Sequence, residues 1–332
     1  MLKYLFQRLL TSIFLILILS FVSFVLIDIP PGDYLTTYIA NMQTSGRQVE
    51  EDEIARLVQL YDLDKPLFTK YGSWIKGIVL RGDFGRSFSW NRPVRDILAE
   101  RLPISISISL MTLIFVWVVA VPIGFFSAKK QYSFLDYFFN VIGFIGLAVP
   151  EFLVALLLVW LIFQYTGVAI TGLYSPAYET APWSLAKVFD LMKHIWLPMV
   201  VIGLHGTASL IRILRGNLLD ELNKQYVVTA RAKGLEEIKN LLKYPVRVAI
   251  NPAISTIGWT LPGIVSGEIL VSIVLNLDTM GPVLLSAVLS QDMYLAGSIV
   301  LILSTLTVIG TLISDLLLAV VDPRIRFGGM KK

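Results

Sequence analysis

Long apolar runs recur along this chain, and they limit it more than any motif does. Leu9–Ile27 carries no charge between Arg8 and Asp28, and Leu102–Ala128 carries none before Lys129 and Lys130. A helix needs about 20 apolar residues to cross the hydrocarbon core of a bilayer. Further runs lie at Tyr137–Tyr165, Ile195–Leu214, Ile250–Leu275 and Ala296–Val321. Composition agrees: 55% of the residues are hydrophobic and 16% are charged, where soluble domains carry about 25% charged residues. Within lipid, backbone polar groups must be satisfied inside the segment or in a closed barrel. The alternation Ile104-Ser-Ile-Ser-Ile-Ser109 looks strand-like, but the length of its run favours helix. Tyr137–Tyr165 is long for one span and short for two, so it reads as one tilted helix with a break at Pro150-Glu151. Leu9–Ile27 exceeds the apolar core of a signal peptide, and Ile29-Pro-Pro-Gly-Asp33 after it holds no cleavage pattern. It reads as a retained first span. The expected fold is an all-α membrane protein with six transmembrane helices.

Charge sets the orientation. Lys and Arg collect in short loops and span ends on one side: Lys3, Arg8, Lys129, Lys130, Arg212, Arg215, the cluster Lys224–Arg247, and Arg324 to Lys332. On the other side Thr166–His194 has only Lys187 and Lys193, and Asn276–Gly297 has neither Lys nor Arg. Cytoplasmic loops carry the excess of these cations, which places both termini inside. The expected organisation is an N-terminal transmembrane helix over 1–28, an external segment over 29–101, a five-helix core over 102–326 and a cytoplasmic tail over 327–332. The external domain then lies between helices 1 and 2, and a cytoplasmic loop between helices 4 and 5.

Several function classes fall away. The formal net charge of +4 is small and its cations flank apolar runs, so no nucleic-acid surface is implied. The absence of cysteine excludes disulfides, thiolate catalysis and zinc–thiolate sites, and two histidines are too few for a histidine-rich metal site. No nucleophile–base spacing appears, so catalytic, cofactor-binding and metal residues are all expected to be none. There is no Gly-x-x-x-x-Gly-Lys-Ser/Thr phosphate loop, so any ATPase must be another chain.

Two polar segments invite a role. In the external one, Glu50–Tyr61 has an acidic start and helical spacing of Ile54, Leu57 and Leu60. Trp74, Ile75, Ile78 and Leu80 form a second apolar cluster, and Arg81-Gly-Asp-Phe-Gly-Arg86 is turn-rich. This is either a cap on the outer face or part of a docking surface. The inner segment Tyr226-Val-Val-Thr-Ala-Arg-Ala-Lys-Gly234-Leu-Glu-Glu-Ile-Lys239 reads as helix, glycine, helix. Tyr226, Val227 and Ala230 share a face, and Gly234 suits a helix end because glycine tolerates left-handed backbone. A second helix can begin at Leu235, with Glu236 and Glu237 at its dipole-favoured N-terminus and Leu235, Ile238, Leu241 and Leu242 as its apolar face. Amphipathicity alone fits either a helix lying on anionic lipid or a socket contact with a cytoplasmic partner.

The stretch Tyr226–Leu235 resembles the coupling loop, or EAA motif, of ABC-importer inner-membrane permeases, in the form found in the oligopeptide/dipeptide permease family. Val228, Thr229 and Ala230 take the Glu-Ala-Ala positions and Gly234 the glycine, with valine where the general pattern has glutamate. Other segments are similar to that family: Pro31-Gly-Asp33, Leu63–Leu67, Arg81–Ser87, Arg92-Pro-Val94, Glu100–Pro103, Ser286–Asp292 and Asp322–Arg326. Leu277-Asp-Thr-Met-Gly-Pro282 departs from the usual Pro-Gly-x-Gly turn, and Pro30–Tyr34 extends the early motif, as in a branch where some systems carry oligosaccharides. The resemblance implies a permease subunit that imports peptides or oligosaccharides through a bacterial or archaeal inner membrane. Its implied partners are a second related permease, two cytoplasmic ATPase subunits that carry the ATP and Mg, an external substrate-binding protein and membrane lipid. Tyr226, Thr229, Ala230, Arg231, Ala232, Lys233, Gly234 and Leu235, in the loop 223–244, would meet the ATPase and pass its closure to the pore.

Three acids lie in or near the apolar runs, Glu151, Glu268 and Asp315. At a helix centre each costs roughly 2.5–3.5 kcal/mol, so they should face the bundle interior, the pore or a water-filled space. An ion-gradient-driven carrier would use them as a relay, but it has no need of a docking loop, and no inverted repeat is evident. His205 reads as a hydrogen-bonded packing residue, and Arg212 and Arg215 as side chains that snorkel to the inner interface.

Overall fold

The structure is a computed structural model that describes residues 2–28, 39, 54–56, 58, 65–168, 170–182, 184–258 and 269–321. The elements are α1 (Leu2–Asp28), α2 (Leu67–Arg81), α3 (Val94–Lys129), α4 (Phe134–Ala148), α5 (Glu151–Thr166), α6 (Leu185–Leu222), α7 (Gln225–Ala232), α8 (Glu237–Lys243), α9 (Pro245–Ala249), α10 (Ile269–Val274), α11 (Met280–Leu289) and α12 (Met293–Val321). Residues 251–258 are helical as well. Among the described residues there is no strand, only an isolated bridge between Arg86 and Pro93.

Three helices, α3, α6 and Met293–Leu318 of α12, are long and apolar enough to cross a membrane, and α4 with α5 makes a fourth if the pair counts as one span. The alternating Ile-Ser stretch lies inside α3 as helix. The break at Val149-Pro150 falls where the sequence places it, but the two helices bend by 105°. That angle corrects the reading of one tilted rod: proline denies α5 a donor to the preceding turn, and the chain changes direction there. Most of the expected helix 50–61 and residues 259–268 of the expected fifth span lie outside the described residues.

The chain divides into two compact units. One contains Leu2–Ser105 and Thr279–Leu306. Its core joins Phe24 of α1, Trp74 of α2, Phe88, Ile97, Met280, Tyr294 and Leu295. Phe24 and Trp74 lie 5.3 Å apart between ring centroids, and Tyr71 packs edge-on to Phe24 at 5.6 Å. Trp74, Ile75 and Ile78 face this core as the sequence pattern implies, whereas Leu80 is exposed.

The other unit is built mainly from Ile106–Asp278 and Thr307–Lys332. Here α6 is the central rod. Its Leu210, Ile211 and Leu214 pack on Val116 and Ala120 of α3 and on Ala253. Small residues allow the close approach: a Cβ on Gly124 would lie 2.9 Å from that of Leu214, and one on Gly203 would lie 2.9 Å from the Phe115 ring. The same device brings α4 in, with Gly146 beside Leu204 and Gly143 beside Ala208.

Candidate functional site

The loop after α6 is ordered by its own hydrogen bonds. α7 ends at Ala232, Lys233 caps it, and Gly234 takes a left-handed φ of 78°. The Leu235 amide donates to Ala230 O at 3.2 Å and the Gly234 amide to Arg231 O at 3.0 Å. These two bonds close a Schellman motif, which needs a residue that accepts positive φ at this position. No atom lies within 4 Å of where a Gly234 Cβ would sit, so backbone conformation, not crowding inside the chain, is what selects glycine.

α8 starts at Glu237, two residues later than the sequence suggests, with Glu236 as its N-cap. Its expected apolar face is divided. Leu241 packs with Leu218, Leu222, Val246, Ala128 and Ala249, whereas Ile238 and Leu242 are exposed. The side chain that turns fully inward is Asn240, 2% exposed, whose Nδ2 donates to Val227 O at 3.2 Å and ties α8 to α7. Periodicity of apolar residues gave no hint of this amide latch.

On α7 Val227 is buried and Ala230 half-buried, as their shared face implies. Tyr226 is partly exposed, donates its hydroxyl to Glu221 of α6 and lies 6.3 Å from the Tyr244 ring. Burial and the Glu221 carboxylate push its phenol up to about 12, so it stays a hydrogen-bond donor at neutral pH. Thr229, Arg231, Ala232, Lys233 and Gly234 are exposed and Leu235 is half-buried. Together with Val228, Ile238 and Leu242 they give the loop an exposed surface of mixed apolar and cationic side chains.

A buried charge cluster lies on α6 ahead of the loop. Arg215, seven residues before the end of α6, donates from Nε and Nη2 to the two oxygens of Asp136, both at 2.8 Å. Asp136 is 2% exposed in the first turn of α4. It also accepts from Ser127 Oγ, from the Tyr132 amide at 3.0 Å and from Asn140 Nδ2 at 2.8 Å. The snorkelling reading of Arg215 is therefore corrected: a bidentate carboxylate holds it. Arg212 does stay exposed, and His205 is exposed as well rather than a packed interior residue.

Of the three acids, Glu151 and Asp315 are among the described residues. Glu151 is the first residue of α5, half-buried at the bend. Asp315 is half-buried on α12, and Glu268 lies outside the described residues.

A second polar cluster brings together two segments of the sequence that periodicity could not pair. Asp292, fully buried, accepts from Ser87 Oγ at 2.5 Å, from the Ser89 amide at 3.1 Å and from Ser89 Oγ at 3.0 Å. Its other oxygen accepts from the Leu295 amide at 3.1 Å and caps α12. Around it, Trp74 Nε1 donates to Phe84 O, and Gly85, at φ 85°, sits so near Tyr294 that a Cβ would lie 3.2 Å from the ring.

Comparison with known proteins is in keeping with this arrangement. The family described as binding-protein-dependent transport system inner membrane component matches residues 120–327, and the N-terminal domain of that family's membrane component matches residues 1–109. The oligopeptide transport system permease protein AppB of Bacillus subtilis is 32% identical over 328 residues, 98% of this chain and 100% of its own length. A putative peptide permease protein of Brucella suis is 33% identical, with 98% and 99% covered. The oligopeptide transport system permease protein OppB of Haemophilus influenzae is 30% identical, with 98% and 100% covered. The chain thus belongs to the family of inner-membrane components of binding-protein-dependent transport systems, and is a membrane-embedded permease subunit of an ABC importer.

Proposed function

We propose that this permease imports peptides and that the loop 223–244 receives the ATPase stroke that drives it. The observation that carries the reading is the loop itself: a short helix ended by a Schellman glycine, latched by Asn240 and presenting Tyr226, Val228, Ile238, Leu242, Arg231 and Lys233 outward. A loop resting only on lipid needs the apolar and cationic side chains but not the Schellman stop and the amide latch that fix its shape. One that inserts into a protein groove needs that fixed shape, because preorganised contacts lose less entropy on binding. The relatives' names supply the cargo class, since each is a peptide or oligopeptide permease.

In this reading the basic side of the chain is cytoplasmic, both termini lie inside, and six spans line or flank the path. Two ATPase chains hold ATP and Mg, a related permease completes the pore, and an external binding protein delivers the peptide. Glu151, Glu268 and Asp315 are the polar groups available to a hydrated path.

The test is uptake by the reconstituted complex with Gly234→Trp. An indole there must adopt positive φ and fill the face that meets the ATPase. Import should fall by about 100-fold, near the upper end of typical coupling free energies, while the protein stays in the membrane. Unchanged import would remove the loop from the mechanism. Stimulation of ATP hydrolysis by binding protein loaded with oligosaccharide, and not with peptide, would replace the cargo.

A further inference from the structure

We infer that Asp136 and Arg215 are positioning residues for import: their bidentate pair makes the elbow between α3 and α4 travel with the loop end of α6. The inference rests on the coupling role of loop 223–244. Three observations build it. First, α6 runs unbroken from Arg215 to Leu222, and Asn223 and Lys224 alone separate it from α7. Second, the end of α6 is fastened to the loop's return path, through Leu218 and Leu222 against Leu241, Val246 and Ala249. Displacement of the loop therefore reaches Arg215. Third, the carboxylate that Arg215 grips is held from three directions on the elbow: Ser127 at the end of α3, the Tyr132 amide in the turn and Asn140 on α4.

The other contacts between these helices are different in kind. Gly124 against Leu214, Gly143 against Ala208 and Gly146 against Leu204 are smooth apolar approaches. Apolar burial is non-directional and does not by itself fix an angle. A planar guanidinium on both carboxylate oxygens fixes distance and angle together. Pulling it away would strand a carboxylate that is 2% exposed, without its cation. The elbow is thus tied to the part of α6 that the loop moves.

The chain has no cysteine, so two can be introduced for spin labels without background from this subunit, the partner chains being made cysteine-free. Tyr137 on the elbow and Asp220 on α6 are both exposed. In the assembled transporter in lipid, with Tyr137→Cys and Asp220→Cys, the label distance should stay the same between nucleotide-free and ATP-bound states. Adding Asp136→Asn should split or shift it on ATP binding. The same substitution should lower import per ATP hydrolysed by about tenfold, within the range of allosteric coupling, with the ATPase chains still copurifying. A label distance that changes on ATP binding while the pair is intact overturns the proposal, and that measurement stands even if Asp136→Asn fails to assemble. So does Asp136→Asn importing normally while Gly234→Trp is uncoupled, which leaves the loop reading intact. If Gly234→Trp also imports normally, the loop reading fails and takes the positioning role of the Asp136–Arg215 pair with it.

Discussion

Asp136 and Asp292 are both buried carboxylates in a membrane protein, and they are satisfied in different ways. Asp292 meets neutral donors: two serine hydroxyls, a serine amide and the first turn of the helix it caps. Asp136 meets a guanidinium 79 positions away in sequence, besides its neutral donors. A carboxylate fed by neutral donors and the helix N-terminus it caps needs no counter-charge, although Ser87 and Ser89 stand 205 and 203 positions away. It pins one loop to one helix and suits a static clasp. A carboxylate compensated by a cation on another helix makes short α4 and long α6 depend on each other. The two sites also differ in their surroundings. The Asp292 clasp sits among rings and a left-handed glycine, whereas the Asp136 pair sits where helices approach through small residues.

That difference sets an order of cost. Arg215→Ala should be the most damaging change. It leaves Asp136, 2% exposed, without its cation, and breaking a buried pair by removing one partner costs about 3–5 kcal/mol. Thermal unfolding of the purified complex should show the largest fall in midpoint for this variant. Arg215→Lys should recover part of it, because an ammonium restores charge but not the fork. Recovery of the full midpoint by Lys would mean that charge alone, without geometry, holds the elbow. Asp292→Ala comes next. It strands the buried Ser87 hydroxyl and removes the cap of α12, for about 2–3 kcal/mol, less than a broken ion pair because the orphaned donors are neutral and exposed Ser89 can turn to water. Ser87 and Ser89 should become more accessible to hydrogen exchange and the α3–α4 elbow should not. If exchange rises at the elbow instead, the two sites are not independent and the contrast drawn between them fails.

Much of this was legible in the chain, for reasons that differ by region. The long helices follow from uninterrupted apolar runs, and the break before Glu151 from proline chemistry. The end of α7 follows from Gly234, since few other residues accept its φ. The coupling reading of the loop comes from residue identity at particular positions, Tyr226 to Leu235, where amphipathicity alone leaves two readings open. What stayed hidden was pairing at a distance. Arg215 among aliphatic residues looks like any snorkelling arginine until Asp136 is placed opposite it. Ser87 and Asp292 stand in separate motifs, and the sequence says nothing of which oxygen meets which hydroxyl. Asn240 was hidden for another reason: it breaks the apolar period of α8, so a pattern that counts apolar residues steps over it. The bend of 105° was also beyond reach, because proline fixes the place of a break and packing fixes its angle.

The smallest effect belongs to a third carboxylate, Glu221, which accepts from Tyr226 at the start of the loop. Here neither partner is fully buried, so water can replace the bond when it is lost. Tyr226→Phe should therefore cost only about 0.5–1 kcal/mol in stability, the net worth of one ordinary hydrogen bond. Its pH dependence has a definite sign. The folded phenol is pushed up to about 12, above the ordinary tyrosine value of about 10. The folded state then holds the proton more tightly than the unfolded chain. The stabilisation is fully present below pH of about 10 and is lost as pH rises toward about 12. Between pH 6 and 9 the difference between Tyr226→Phe and the parent should be flat, and above that range it should shrink. Unfolding midpoints taken across this range decide it. A loss as large as that of Asp292→Ala would show that the loop depends on this exposed bond as heavily as α12 depends on its buried cap, and burial would no longer rank the three carboxylates.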